Sequence, residues 1–207
     1  MKQPLNVEQW HRKSHFDFFK NFEEPFFGVT VQVDCTHAYQ QAKENGYSFF
    51  LWYLFQALKA ANAIEAFRYR IADDAVWVYD HVNASPTINR PDGSFGFAYM
   101  DYSPEWADFE KAAQQEIERV QASTDLVPAS SAENVLHISS LPWLNFTSVS
   151  HARCFSYKDS IPKITFGKMT ENNGVRTMPV SIHVHHALMD GFQVAQFVDV
   201  FQANLNG

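Results

Sequence analysis

Only two of the 207 residues are cysteines, Cys35 and Cys154, and neither belongs to a CxxC pair. A disulfide framework is therefore unneeded, and reduced thiols in a cytoplasmic protein are the expectation. Basic clusters are also absent. The 16 Lys and Arg stand against 23 Asp and Glu, and a formal net charge of -7 argues against a nucleic-acid-binding role. The first residues, Met1-Lys2-Gln3-Pro4-Leu5, carry no apolar run behind their charge, so no signal peptide is expected. The most apolar stretch, Phe49 to Ala61, is interrupted by Gln56 and Lys59. It falls short of the roughly 20 residues a membrane-spanning helix needs, and it reads as a buried helix. No repeat, low-complexity tract or linker divides the chain. Residues 1–207 read as a single domain, long enough to bury a substantial core.

Aromatic residues are plentiful. They make up 15% of the chain, with 19 Phe, enough for apolar cavities as well as a core. The apolar pattern alternates between the two structural periods. Trp10 to Phe22 reads as a short helix and turn. Phe27 to Asp34 alternates, with Val29, Val31 and Val33 on one face and Thr30, Gln32 and Asp34 on the other, as a half-buried strand does. Thr36 is placed to cap a helix that ends near Gly46, and Ser48 to cap the apolar helix from Phe49 to about Asn62. Phe67 to Ile71 and Val76 to Tyr79 flank Asp73-Asp74 as a hairpin. Pro91-Asp92-Gly93-Ser94 forms a turn before a strand from Phe95 to Met100. A helix opens at Ser103-Pro104-Glu105, with Pro at its first position, and runs to about Ala122. Val135 to Ser139 and Phe146 to Ser150 read as short strands. Ile164 to Met169 and Arg176 to His185 form a hairpin through Glu171-Asn172-Asn173-Gly174. A last helix follows Asp190 as N-cap, with Val194, Phe197, Val198, Phe201 and Leu205 on one stripe. The sum is an α/β fold, a mixed sheet with helices packed on it.

The chemistry concentrates in Ser181-Ile182-His183-Val184-His185-His186-Ala187-Leu188-Met189-Asp190-Gly191-Phe192. It sets a histidine pair and an Asp-Gly at a strand-to-helix corner, where a side chain can project into a cleft. A neutral imidazole can take a proton from an alcohol or thiol near pH 7, its ordinary pKa being about 6.5. Satisfied core histidines are the plain alternative. A metal site has little support, since no HExxH or converging carboxylate accompanies the pair.

The HHxxxDG string resembles the signature of acyltransferases that use a coenzyme A thioester, and the following Gly-Phe resembles the chloramphenicol acetyltransferase family. Trp10-His11-Arg12-Lys13-Ser14-His15-Phe16 is similar to that family's N-terminal run. His137-Ile138-Ser139-Ser140-Leu141-Pro142-Trp143-Leu144-Asn145-Phe146 resembles its Asn-Ile-Ser-x-x-Pro-Trp-x-Asn-Phe segment. Ala132-Glu133-Asn134 fits as well, and the likeness spans Trp10 to about Leu205.

The resemblance implies a two-layer sandwich, with a mixed sheet and helices on one face. It implies His186 as general base, Ser139 as the oxyanion donor, and Asp190 paired structurally with Arg12. It puts Trp143, Thr165 and Lys168 along the coenzyme channel, and Phe18, Phe19, Phe27 and Phe95 in the antibiotic pocket. Acetyl-CoA is then a co-substrate, with no permanently bound cofactor and no metal. It implies a homotrimer in which the histidine of one subunit faces the pocket of its neighbour. Four positions depart from the family pattern. His137 stands for Asn, Met169 for an aromatic, His151 for an apolar pocket residue, and Met189 for a frequent Cys. The first three touch the pocket and bear on the acceptor, so another small alcohol stands beside chloramphenicol. The acyltransferase core of 2-oxoacid dehydrogenase complexes shares HHxxxDG, but this chain lacks a lipoyl domain and linker. A non-catalytic drug-binding homologue is the reading from another class.

Overall fold

The structure, a computed structural model, describes residues 1–126, 132–154 and 159–207. In chain order its elements are β1 (Lys2–Pro4), α1 (Lys13–Phe19), β2 (Phe26–Asp34), α2 (Thr36–Asn45), α3 (Phe49–Ala63), β3 (Tyr69–Ala72), β4 (Ala75–Tyr79), β5 (Asn83–Asn89), β6 (Phe95–Phe97), α4 (Trp106–Ala122), β7 (Val135–Ser140), β8 (Lys163–Phe166), β9 (Thr170–Asn172), β10 (Val175–His185) and α5 (Gly191–Asn206). Short 3-10 turns at Val7–Gln9 and Glu65–Arg68 precede α1 and β3.

The main sheet has the order β2-β10-β8-β7-β5-β6, with β9 also on β10. It is mixed: β5, β7 and β8 run parallel, and the remaining pairs are antiparallel. A side chain in a strand alternates faces, so register sorts the sheet into two surfaces. One carries Ile138, Ile164, Phe166, Val180, Ile182 and Val184, all buried. Helices cover it: the Phe166 ring meets Tyr53 of α3 at 4.7 Å and Phe201 of α5 at 5.9 Å. The other surface is polar. Across it the register aligns Ser139 with Thr165 and Ser181, and His137 with Lys163 and His183. Helices on one face of a mixed sheet are what the resemblance implied.

Local chemistry explains most boundaries. Asp190 caps α5 through a reciprocal box: Oδ1 accepts from the Phe192 amide at 2.9 Å, and Gln193 Oε1 accepts from the Asp190 amide at 2.9 Å. Gly46 ends α2 with φ of 72°, a left-handed C-cap. Asn173-Gly174 turns β9 into β10 with φ of 51° and 81°, the paired positive values of a type I′ hairpin.

Several sequence expectations are corrected. Thr36 is not a cap; its Oγ1 accepts from the Arg176 amide at 2.8 Å and ties α2 to β10, while Asp34 accepts from the Thr36 amide. Pro104 lies outside α4, whose N-cap is Glu105. Residues 146–150 form no strand. The strand expected from Phe95 to Met100 stops at Phe97, and Met100 only bridges Ala84.

Candidate active site

β10 ends at His185, and the chain turns at once, with the Leu188 and Met189 amides donating back to the His185 carbonyl. The two histidines of the pair part company there. His185 is buried at 5% exposure, edge-on to the Phe26 ring, and its Nδ1 accepts from the Ala187 amide at 3.3 Å. Burial, with the Arg153 charge adding, holds its pKa down to about 4, so it is neutral and structural. His186 is half-buried. Its ring stacks on Phe19 of α1 at 4.0 Å and 12°, and leans on Phe27 of β2 at 4.6 Å. Nδ1 is the enclosed edge, without a hydrogen-bond partner, which leaves Nε2 as the nitrogen turned toward solvent. Two aromatic faces thus fix an imidazole with one accessible nitrogen.

Asp190, four residues on, meets Arg12 from the chain's start: Nη1 donates to Oδ2 at 2.6 Å. The expected pair forms, through one contact rather than a two-pronged one. Arg12 is 6% exposed, and its Nε and Nη2 are buried without partners. Burial alone would push the Asp190 carboxyl up. The Arg12 and Phe192 N–H bonds outweigh it and hold the carboxyl below its usual range. The contact locks α1, which carries Phe19, to the corner that carries His186.

Ser139 lies on the polar sheet face, in a cleft of about 520 Å3. Phe95 and Phe97 give this cleft an apolar side; His137, His151, Lys163 and Tyr99 give it a polar one. His137 is exposed at the mouth of this cleft. The protein packed around it, with the Lys163 charge nearby, pushes its pKa down to about 4. Lys163 itself is buried and salt-bridged to Asp159. Thr165 is 1% exposed and faces His151, its Oγ1 3.4 Å from Nε2. It therefore belongs to the Ser139 side of the sheet.

On the helix side, a groove of about 380 Å3 runs between α3, α4 and the ends of β5 and β7, lined by Phe49, Phe50, Tyr53, Pro142, Gly167 and Met169. Trp143 and Lys168 stand exposed beside it, and the Lys168 amide donates to the Leu144 carbonyl at 2.8 Å. Gly167 permits this approach, since a Cβ there would meet Pro179 at 2.5 Å and the Leu144 carbonyl at 2.8 Å.

The four named Phe do not share one pocket within the chain. Phe19 and Phe27 sit on His186, and Phe95 on the Ser139 cleft. Phe18 is 65% exposed, against Phe19 and Phe22. Nor does His186 line the Ser139 cleft. Ser139 aligns with Ser181, two strands away and five residues before His186. At ~3.3 Å per residue and ~4.8 Å per strand, they stand about 19 Å apart. The sequence reading missed Tyr99, Phe97 and Lys163; the Lys163/Thr165 alternation in β8 was the available signal. Among the described residues, no group of three or more His, Cys, Asp or Glu is arranged to hold a metal ion, and no helix is long and apolar enough to cross a membrane.

Known proteins share this fold. Chloramphenicol acetyltransferase 3 of Escherichia coli is 30% identical over 205 residues, 98% of this chain and 96% of the relative. The Proteus mirabilis chloramphenicol acetyltransferase is 29% identical over 96% of this chain and 92% of its own. A solved chloramphenicol acetyltransferase structure superposes with a TM-score of 0.90 at 31% identity, covering 99% of this chain and 100% of that one. A probable dihydrolipoamide acetyltransferase from Listeria monocytogenes shares the fold, with a TM-score of 0.67 at 16% identity over 98% of this chain and 93% of its own. With the chloramphenicol acetyltransferase family model matching residues 3–202, this chain belongs to that family.

Proposed function

We propose that the chain moves the acetyl group of acetyl-CoA to a hydroxyl of chloramphenicol, which inactivates the antibiotic, and that 1–207 works as one acetyltransferase unit. The observation that carries this is family membership together with the motif residues Arg12, Ser139, His186 and Asp190, of which Arg12 and Asp190 meet. His186 Nε2 takes the proton of the acceptor hydroxyl as its oxygen attacks the thioester carbonyl. The tetrahedral oxyanion accepts a hydrogen bond from Ser139 Oγ. Its collapse breaks the carbon–sulfur bond, and the imidazolium returns the proton to the leaving thiolate. Arg12 and Asp190 do not move protons; they hold the corner. The coenzyme arm lies in the groove beside Trp143, with Lys168 offering a point charge to its phosphates. Thr165 backs the acceptor cleft.

The about 19 Å between Ser139 and His186 supports a site shared between copies. In a homotrimer, His186 with Phe19 and Phe27 reaches the Ser139 and Phe95 cleft of its neighbour, and exposed Phe18 is free to join that contact. Use of acetyl-CoA fits work in the cytoplasm. His137 and His151 favour a second reading, in which another, more polar alcohol is the physiological acceptor.

Thiol release from acetyl-CoA, measured across a panel of alcohols that includes chloramphenicol, is the test. Release with chloramphenicol is expected. Release only with other alcohols would keep the acetyl transfer and replace the acceptor. No release from folded, assembled protein would leave a binding protein.

A further inference from the structure

The Ser139 cleft holds an imidazole that acetyl transfer does not use, and two neighbours hold it. His151 stands on the stretch between β7 and β8, outside any strand. Its Nε2 lies 3.4 Å from Thr165 Oγ1. Its ring meets His183 of β10 edge-on, 4.8 Å between centroids at 84°. His183 in turn bonds the Val149 backbone, two residues before His151, so one strand residue steadies both the loop and the ring it presents. Gly28 completes the stack. It pairs with His183 across β2 and β10, and a Cβ there would come within 2.5 Å of the His183 ring. Any larger residue would displace that ring.

Such support marks a recognition group. Burial, with the neighbouring His183 and Lys163 charges, keeps the His151 pKa at about 4, so the ring is neutral at pH 7. A neutral imidazole offers one N–H and one lone pair. Thr165 takes Nε2, and Nδ1 keeps the complementary role. A hydroxyl donates and accepts, so it satisfies Nδ1 in either tautomer. An apolar group set there would leave a partly buried nitrogen unpaired.

We propose that His151, positioned by His183 and Thr165, determines acceptor specificity by binding a second hydroxyl, so that the preferred substrate is a diol and not a mono-alcohol of the same apolar body. This rests on the reading of the Ser139 cleft as the acceptor site.

The test compares chloramphenicol, which carries a primary and a secondary hydroxyl, with its analogue lacking the secondary one. Thiol release is followed in wild type, His151→Leu, His151→Gln and Gly28→Ala. Wild type is expected to prefer the diol about tenfold in kcat/KM, the worth of one such hydrogen bond. His151→Leu should erase the preference by raising KM for the diol alone. His151→Gln, which keeps a donor and an acceptor, should restore part of it, and Gly28→Ala should shift it in the Leu direction. Equal losses on both substrates in His151→Leu, or an unchanged preference, would overturn the proposal while leaving acetyl transfer intact. Absence of any release by wild type with either compound would sink the acetyltransferase reading itself, and the proposal with it.

Discussion

Substituting Asp190 and Arg12 one at a time should expose an asymmetry that the words ion pair conceal. Arg12 is 6% exposed, and two of its three nitrogens have no partner besides the shared charge. Asp190 has 32% of its side chain exposed and keeps the Phe192 amide. Asp190→Asn retains an oxygen for the cap but strands a buried guanidinium, at about 3–5 kcal/mol. Asp190→Ala also removes the cap, adding about 1 kcal/mol. Arg12→Met removes the buried charge with its unpaired nitrogens, and water can reach the carboxylate left behind. It should cost less, about 1–2 kcal/mol, near the value of a hydrogen bond to a charged group. For a chain of this size, Asp190→Asn then lowers Tm by about 6–20 °C, at fixed protein concentration because assembly contributes. Urea unfolding of both singles and of the double variant measures the coupling. The pH sign follows from the depressed Asp190 carboxyl. Its stabilisation is full above the unfolded value near 3.8 and is lost as pH falls through the lower folded value, so the gap between wild type and Asp190→Asn should close only below about pH 4. Equal costs for Arg12→Met and Asp190→Asn, or zero coupling, would refute the reasoning.

Steady-state kinetics should separate the histidines. His186→Ala should lose about 10²–10⁴-fold in kcat while folding normally. His185→Ala should instead lose stability through its buried contacts, with a smaller effect on rate; the reverse order would overturn the assignment. Ser139→Ala should cost about 10²–10³-fold in kcat at little change in KM, the worth of one oxyanion donor; a purely KM effect would remove that role. Refolding inactive His186→Ala together with inactive Ser139→Ala should regenerate about a quarter of the wild-type sites, because a closed ring combines both intact residues at some interfaces. Persistent inactivity of the mixture would mean that each chain holds its own complete site.

Periodicity and turn chemistry were legible where they act locally. The α5 capping box, the Asn173-Gly174 turn and the valine alternation of β2 follow from neighbours in the chain. β5 escaped the reading because Pro86 interrupts it, yet Pro86 lies in the parallel register with Ile138 and its carbonyl still accepts from the Ala98 amide. Thr36 misled because a hydroxyl before a helix looks the same whether it caps that helix or accepts from Arg176, 140 residues away. The site divided in the same way. The family string pointed to His186, Asp190 and Arg12, and the structure joins the last two. Which Phe accompanies which group was not legible, since Phe19 and Phe95 are sorted by tertiary contacts. Nor was the steadying of His151 by His183, a contact between a loop and a strand.

β10 is bonded on both flanks, to β2 along nine residues and to β8 and β9 on the other side. Amides in such a strand exchange with solvent only when the whole molecule opens. His186 follows that strand directly, whereas Trp143 and Lys168 lie on loops beyond the ends of β7 and β8. Under the proposed roles, the reacting nitrogen is mounted on the last piece to come apart, and the coenzyme's side of the site on loops outside the sheet. If those roles hold, loosening around the coenzyme during turnover would leave the imidazole's bearing unchanged.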